Sequence, residues 1–321
     1  YMINKLKIFI RKLLLRKSTM SLYKKLRHIK VNVMRILSDE QFVKLNVYFN
    51  TGIKINLENP KMYVEKLNWL KLNYRNPLQT SYTDKYQMRT NLIAKGYEYI
   101  LPPLIGVYEK FEDIQFSRMP SKVFVKTNHS SGMNQVITRS STDLDKAKHN
   151  FNKSLKQNYY KFSREWNYKN IKPKLLVEHY LDMSEYLDYK FFVFNGKVEF
   201  FAVIKDIIDE TGNQSLESQF NLYDLDLKPL NVDVKRKTFD DTNFEFSPFI
   251  KEMIDISEDL ASPFPFVRVD FLVSQSKFLF GEMTFHPNGG ELVFYPLSKD
   301  YEYGKKINLN NIPNQFIKKR D

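Results

Sequence analysis

Residues 266–290 read FVRVDFLVSQSKFLFGEMTFHPNGG. Two parts of this stretch, FVRVDFLV and KFLFGEMTF, alternate apolar and polar residues around a short polar turn, which predicts the two strands of a β-hairpin. Arg268 and Asp270 are two residues apart, as are Glu282 and Thr284, so each pair lies on one face of its strand. One arginine and two carboxylates inside a hairpin are costly to bury without partners. A divalent cation that bridges a phosphate would pair with them, and the ordinary alternative is a cross-strand salt bridge.

The composition is that of a globular protein. Of the 321 residues, 42% are hydrophobic and 27% charged, with 26 Phe, 20 Tyr and 10 Gly. This length suits one large domain or two to three lobes around a cleft. The absence of Cys excludes disulfides, thiolate nucleophiles and Cys-ligated zinc, and it agrees with a cytoplasmic location. The five His residues show neither an HExxH motif nor paired-His metal spacing.

The net charge of +13 is concentrated in an N-terminal arm. Residues 1–38 hold eleven Lys and Arg and no acidic residue, which leaves 39 basic and 37 acidic residues in the rest of the chain. The globular part is therefore close to neutral, and its pI does not argue for a nucleic-acid partner. Apolar and basic residues interleave at helical spacing in the arm, which predicts a basic amphipathic helix. It either contacts an anionic membrane surface through residues 3–30, at the inner face, or packs on the globule with a basic rim.

Three further stretches carry structural signals. Asn59-Pro60 predicts a helix start. VFVKTNHSSG, residues 123–132, predicts a strand that ends near Lys126, followed by a small-polar loop. Such a lysine and the backbone N–H groups of the loop suit phosphate oxygens, although a plain hairpin has the same pattern. DYKFFVFNGKVEFFAVIKD, residues 188–206, predicts a hairpin around Asn195-Gly196, and residues 207–247 are a polar, irregular loop or lid.

Eight stretches, in order from about residue 59 to 304, resemble the ATP-grasp superfamily and, within it, the TupA-like ATP-grasp proteins of bacterial surface-polysaccharide gene clusters. They are NPKMYVEKLNWLK, SYTDKYQMR, LPPLIGVYEKFEDIQF, VFVKTNHSSG, LLVEHYL, DYKFFVFNGK, FVRVDF and FGEMTFHPNGG. The resemblance implies an α+β fold of three lobes, with ATP held between two antiparallel β-sheets. It also implies four parts: an N-terminal arm (1–45), a mostly helical lobe (46–118), a central lobe with the phosphate loop (119–180) and a C-terminal lobe with the metal site (181–321).

The resemblance also implies a role for individual residues. The residues expected to contact the phosphates are Arg89, Lys126 and the loop Ser130, Ser131 and Gly132, with Lys190 and Lys205 as further candidates. Those expected to contact the adenine edge are Glu178, His179, Tyr180 and Leu181, and Asp188 is expected near the ribose. Arg268 matches the arginine that stabilises the transferring phosphoryl group, with Lys126 as the second catalytic cation. Asp270, Glu282 and Thr284 match the Mg²⁺ ligands.

Two departures from the superfamily pattern stand out. The metal motif is usually Glu-x-Asn, and here Thr284 occupies the Asn position. A hydroxyl is a weaker Mg²⁺ donor than an amide oxygen, so Thr284, Asn288 or a water molecule completes the site. In addition, no complete α/β first lobe precedes Asp84, so the substrate platform of amino-acid ligases is reduced or helical in this chain.

The implied reaction is activation of a carboxylate by ATP to an acyl phosphate, followed by attack of an amine. Phosphoryl transfer needs positioned cations and metal-holding carboxylates more than a protein nucleophile, which agrees with the residue types found. The expected substrates are a carboxylated sugar or glycan and an amine such as an amino acid, in capsule, O-antigen or wall-polymer biosynthesis. Three alternatives stay open: a kinase on the same fold, a glycosyltransferase that uses Asp224-x-Asp226, and a basic binding protein.

Overall fold

A computed structural model describes residues 36–206 and 218–319. The basic amphipathic helix that the sequence predicts in residues 3–30 lies outside these residues, as does part of the irregular loop predicted for residues 207–247. In the described ranges, no helix is both long enough and apolar enough to cross a bilayer.

Helices surround two sheets. The α-helices are α1 (Asp39–Thr51), α2 (Tyr63–Asn73), α3 (Pro77–Thr83), α4 (Lys85–Ala94), α5 (Leu144–Leu155), α6 (Tyr160–Ser163), α7 (Ile250–Ala261) and α8 (Leu297–Lys306). Short 3₁₀ helices cover Glu98–Ile100, Phe111–Asp113, Phe116–Arg118, Trp166–Tyr168, Met183–Glu185, Pro287–Gly290, Leu309–Asn311 and Asn314–Phe316.

The first sheet has four antiparallel strands in the order β1-β4-β2-β3. They are β1 (Leu104–Tyr108), β2 (Lys122–Thr127), β3 (Asn134–Thr138) and β4 (Leu175–His179). Burial alternates along β2, because one face packs against α5 and the other faces a cleft. Val123 and Val125 fill the core on the packed face, which leaves Lys126 on the opposite face.

The second sheet has five antiparallel strands in the order β7-β6-β5-β8-β9. They are β5 (Leu187–Phe194), β6 (Lys197–Lys205), β7 (Gln219–Tyr223), β8 (Phe266–Val273) and β9 (Phe278–Thr284). The predicted β8–β9 hairpin is confirmed, and so is the β5–β6 hairpin, where Asn195 (φ 48°) and Gly196 (φ 76°) adopt the positive φ angles of its tight turn. The presence of β7 corrects the prediction that residues 207–247 are irregular throughout.

The two faces of the five-stranded sheet differ. One face packs against α7 over aromatic and aliphatic residues such as Phe191 and Val269, both 0% exposed. On the other face, the half nearest α2 is also aromatic, because Tyr63 meets Phe266 edge-on at a centroid distance of 5.2 Å. The remaining half carries charged residues on β5, β8 and β9 and is called the polar face below. A core on both sides fixes the strand register, so the charged side chains are held in place.

The start of α2 differs from the prediction. The helix begins at Tyr63 rather than at Asn59-Pro60. The carboxylate of Glu65 accepts hydrogen bonds from the backbone N–H groups of Lys61 (2.8 Å) and Met62 (3.0 Å) and thereby satisfies donors that a helix end leaves free. Asp300 of α8 accepts two more, from Val64 N (3.0 Å) and Phe294 N (2.9 Å). A carboxylate on another helix therefore ties α2 to the C-terminal region.

Because the carboxyl group of Asp300 is buried, we expect the stability of the protein to depend on pH. Burial raises its pKa to about 6 from 3.8, although its backbone donors act in the opposite direction. Because the folded state binds this proton more tightly than the unfolded state, the contribution of Asp300 is present below pH 3.8 and is lost as pH rises through about 6. From pH 5 to pH 7 we expect the unfolding free energy of the wild type, relative to Asp300→Asn, to fall by about 1 kcal/mol. Urea unfolding of both proteins at the two pH values measures this, and an equal difference at both would contradict it.

Candidate functional site

An open cleft lies between the two sheets. Side chains of β2, β4, α4, the Leu101-Pro102 segment and β9 line it. Four of the residues predicted from the sequence meet at this cleft, namely Arg89, Lys126, Glu178 and Glu282. They come from four different elements, so the packing of the sheets against α4 assembles the group.

Glu178 joins two cations in the cleft. Its carboxylate is 2.7 Å from Lys126 Nζ and 3.4 Å from Arg89 Nη1, and its side chain is 5% exposed. Lys126 is opposite Leu176 in the β2–β4 ladder, two residues from Glu178, so both side chains share the cleft face. Burial lowers the pKa of Arg89, and the charge of Glu178 acts against this shift. The group combines two cations with one carboxylate and so has a net positive charge.

Lys85, which the sequence did not single out, also lines the cleft. It is the first residue of α4, and its Nζ donates to Ser130 O at 2.9 Å. Burial lowers its pKa, while the charge of Glu282 raises it. Asp84, the N-cap of α4, accepts from Tyr86 N and also from Asn128 Nδ2 at 2.9 Å, which ties the helix to the loop after β2. The only sequence signal for Lys85 is its place in the SYTDKYQMR stretch.

The loop after β2 is held at its base and open at its tip. Asn128 is 0% exposed, and its side chain accepts from Lys174 N (2.7 Å) and donates to Lys172 O (3.0 Å). Ser130 Oγ is 2.7 Å from Thr127 Oγ1. Ser131 and Gly132 are exposed, and Gly132 has a φ of 86°. An anchored base with an exposed tip that contains a left-handed glycine suits backbone N–H contacts to an anion.

The polar face carries a network of short ion pairs. Arg268 donates to both carboxylate oxygens of Asp270, from Nε and Nη2, each at 2.6 Å. Lys190 Nζ is 2.6 Å from Asp270 Oδ2 and 2.5 Å from Asp188 Oδ2. Thr284 Oγ1 accepts from Arg268 at 3.0 Å and donates to Glu282 Oε1 at 3.2 Å. Such bidentate and charge-assisted bonds hold the side chains in one arrangement.

Opposite charges shift the protonation equilibria of this network. Burial raises the pKa of Asp270, but the charges of Arg268 and Lys190 outweigh it and hold that pKa below its ordinary value. Burial lowers the pKa of Arg268 and Lys190, and their carboxylate partners raise both above their ordinary values. At Asp188 burial prevails and raises the pKa to about 6. Near neutral pH, Arg268, Lys190 and Asp270 are all charged.

Glu282 connects the two groups. It lines the cleft, lies directly opposite Asp270 in the β8–β9 ladder and approaches Arg268 Nη2 at 4.0 Å. Its side chain is 43% exposed, whereas that of Asp270 is 4% exposed. The cleft cations and the polar face therefore form one continuous site, with Glu282 at the junction.

Several predicted residues lie away from this site. Lys205 is on the opposite face of the sheet, where its Nζ lies 4.2 Å from the ring centroid of Phe239. His179 is exposed, and its backbone N donates to Pro103 O. Tyr180 packs under Lys122 Nζ at 3.6 Å, and Leu181 is half-buried. Of the four residues predicted at the adenine edge, Glu178 lines the cleft, whereas His179, Tyr180 and Leu181 are not among its lining residues.

The donor set can be tested against a magnesium ion. Within residues 36–206 and 218–319, no cluster of three or more His, Asp and Glu is arranged to hold a metal. The opposed carboxylates of Asp270 and Glu282 match the one or two carboxylates that Mg²⁺ usually takes together with substrate phosphates and waters. Both Asp270 oxygens accept hydrogen bonds from Arg268, so an ion there would replace part of these contacts. Thr284 is already bonded to Arg268 and Glu282, and Asn288 is exposed with a φ of 53°.

The family model described as TupA-like ATPgrasp matches residues 65–308, well over half of the chain. The two antiparallel sheets and their helices are thus an α+β ATP-grasp architecture. The chain belongs to the TupA-like ATP-grasp family.

Solved structures with this architecture are distant in sequence. The ATP-grasp ligase PsnB complexed with a minimal precursor is 10% identical (TM-score 0.41), with 73% of this chain and 62% of that chain covered. D-alanine–D-alanine ligase from Bacillus anthracis is 17% identical (TM-score 0.39), with 68% and 64% covered. The chain thus spans less than two thirds of the length of these two proteins. D-alanine–D-alanine ligase from Helicobacter pylori is 13% identical (TM-score 0.40), with 78% and 68% covered. No curated protein matches the chain.

Proposed function

We propose that this protein is an ATP-dependent carboxylate–amine ligase that works through an acyl phosphate. The observation that carries the proposal is the continuous site in which the cleft cations meet the polar face at Glu282. Family membership supports ATP as the nucleotide. We propose residues 119–180, which contain β2, β3 and β4, and residues 181–321, which contain β5 to β9, as the two lobes that hold ATP between them.

In this proposal, the cleft binds the nucleotide. Lys126, Arg89 and Lys85 are the cations for the phosphates, and the exposed tip at Ser131 and Gly132 covers them with backbone N–H groups. Glu178 holds Lys126 and Arg89 in place before the phosphates arrive. Positioned cations of this kind stabilise the charge of a transferring phosphoryl group without a protein nucleophile.

Asp270 and Glu282 are the residues that would hold Mg²⁺, with Thr284 beside them. The ion neutralises phosphate charge when it is bound. Arg268 and Lys190 lie next to this pair on the polar face, within reach of an oxyanion there. In the proposed reaction, a carboxylate oxygen of the acceptor attacks the terminal phosphorus of ATP and releases ADP. An amine then attacks the acyl carbon, phosphate leaves, and the amine loses its proton.

The acceptor class rests on the family resemblance rather than on a pocket. We propose a carboxylated sugar or glycan of a bacterial surface polysaccharide, joined to an amino acid or another amine. A cytoplasmic location agrees with the use of ATP. Peripheral membrane contact through residues 3–30 would bring the enzyme close to lipid-linked glycans.

A screen for ADP release tests the proposal. Uronic acids are paired with amines in the presence of Mg²⁺ and ATP, and products are identified by mass. A ligase releases ADP only when both partners are present, and its product has the summed mass of the partners minus water. A phosphorylated sugar would support a kinase instead, and no ADP release with any pair would contradict both.

The glycosyltransferase alternative has less support. Asp224 of the Asp224-x-Asp226 motif uses Oδ1 to accept hydrogen bonds from Asp226 N (3.0 Å) and Lys228 N (2.8 Å). This carboxylate closes a surface turn. Asp226 is exposed on the same turn.

A further inference from the structure

The β8–β9 hairpin changes register partway along its ladder. Phe271 lies opposite Phe280, and the next pair towards the polar face is Asp270 with Glu282. Strand β9 therefore contributes one extra residue at this point, Gly281, which has no partner on β8. An extra residue of this kind is a β-bulge, and it reverses the face on which the following side chains of its strand lie.

This bulge decides the face on which Glu282 lies. Regular pairing continued from Phe271 and Phe280 would put Glu282 opposite Val269, which is 0% exposed and belongs to the face that packs against α7. The ring of Phe280 meets that of Phe271 on the same face, at a centroid distance of 6.1 Å. A regular hairpin would thus bury a carboxylate in an apolar core, at a high cost. The bulge instead places Glu282 on the polar face, opposite Asp270.

The two strands approach each other closely at Gly281. A Cβ atom at this position would lie 2.9 Å from Asp270 O and 3.3 Å from Asp270 C. Gly281 does not have a positive φ, so space rather than backbone conformation requires glycine here. Any side chain would push β9 away from Asp270, and Glu282 is the next residue of β9. Gly281 also lines the cleft, so it lies where the cleft meets the polar face.

We propose that Gly281 is a positioning residue for the two carboxylates that would hold Mg²⁺. This inference rests on the proposed function. The bulge turns Glu282 to the polar face, and the missing side chain lets Glu282 and Asp270 come close enough to share one ion. Mg²⁺ requires near-octahedral geometry with ligand distances of about 2.1 Å, so a small displacement of either carboxylate weakens its binding.

Calorimetric titration of the full chain tests this role through binding alone. The Kd of ADP is measured with excess Mg²⁺ and again with EDTA, and the factor by which Mg²⁺ tightens ADP binding is compared between variants. Gly281→Ala adds one Cβ atom at the bulge. Glu282→Asp retracts the carboxylate by one methylene and leaves the bulge intact. Phe278→Leu is the control, because Phe278 packs on Phe271 in the same hairpin (centroid distance 5.6 Å) and is not among the residues that line the cleft.

We expect Gly281→Ala to reduce the tightening by Mg²⁺ about tenfold or more, the loss typical of changing a residue that orients metal ligands. The Kd of ADP in EDTA should stay within about twofold of the wild-type value, because the cleft cations are unchanged. Glu282→Asp should reduce the tightening in the same way. Phe278→Leu should lower the urea midpoint and keep the wild-type tightening, because loss of packing near the turn does not move the carboxylates.

The inference is overturned if Gly281→Ala keeps the wild-type tightening, or if Phe278→Leu reduces it equally. If urea unfolding shows that Gly281→Ala does not fold, Glu282→Asp decides, because wild-type tightening in that variant would show that the placement of this carboxylate does not matter. Equal binding of ADP by the wild type with Mg²⁺ and with EDTA would overturn the metal pair and this inference together. If the wild type binds no ADP under either condition, the proposed function itself fails, which is a distinct result.

Discussion

Asp270→Asn is expected to reduce magnesium-dependent ADP release by about 10³-fold, as loss of a central electrostatic group does in other active sites. Asp270 is proposed to hold Mg²⁺, and it also binds Arg268 through two hydrogen bonds of 2.6 Å. Its amide replacement lacks the charge for the ion and leaves Arg268 and Lys190 without their shared carboxylate. Steady-state ADP release at saturating ATP and Mg²⁺, with an acceptor pair from the screen or with water, measures the loss.

The same change is expected to reduce stability. The side chain of Asp270 is 4% exposed, and those of Arg268 and Lys190 are 11% and 13% exposed. Breaking a buried ion pair from one side leaves an uncompensated charge, which costs about 3 kcal/mol of unfolding free energy. Urea unfolding without nucleotide measures this loss.

Glu282→Gln is the matched comparison. It removes the second proposed metal ligand, but that side chain is 43% exposed and lies 4.0 Å from Arg268. We expect a similar loss of turnover with a change in unfolding free energy of less than about 1 kcal/mol, as for other exposed pairs. If Glu282→Gln keeps wild-type turnover, Asp270 and Glu282 are only salt-bridge partners of Arg268, and the proposed metal site is wrong.

Lys126→Met is expected to raise the Kd of MgADP by about 30-fold or more, the loss of one strong phosphate contact. Lys126 lines the cleft, its side chain is 16% exposed, and its nearest anion is Glu178 at 2.7 Å. Methionine keeps most of the apolar stem and removes the charge, so the fold is expected to persist. Calorimetric titration with MgADP gives the Kd.

Lys172→Met is the control for this variant. Lys172 forms a comparable pair with Glu109 at 3.0 Å, but its side chain is 75% exposed and does not line the cleft. It should leave the Kd of MgADP within twofold of the wild type. Equal Kd values for wild type and Lys126→Met would place the phosphates elsewhere.

The local parts of this site were predictable from the sequence. The alternation around Arg268 and Asp270 predicts strand β8 and places both on one face, and Asn195-Gly196 predicts the turn between β5 and β6. These features depend on residues close in the chain, where side-chain direction follows from backbone geometry. The ordered stretches from 59 to 304 were enough to indicate the TupA-like ATP-grasp family, to which the chain belongs.

The alternation of side chains along the strands did not predict the face of the sheet on which Lys205 lies. It is on β6, paired with Gln219 on the face opposite Lys190, although both lysines follow the same hairpin pattern. The sequence shows which residues share a face of one strand. The register shift between Phe192 and Val193 in the β5–β6 ladder then puts Lys190 and Lys205 on opposite faces, although the two-residue turn alone would put them on the same face.

The β5–β6 and β8–β9 hairpins and the shared faces of charged residues on single strands follow from the sequence, because they depend on backbone periodicity over a few residues. Which side chains from different elements meet depends on the tertiary structure. Glu178 joins Arg89 and Lys126, and Lys85 enters the cleft. Each of these meetings joins elements separated by tens of residues or more. They depend on how the buried faces of the sheets and helices pack, which no short stretch of the chain encodes.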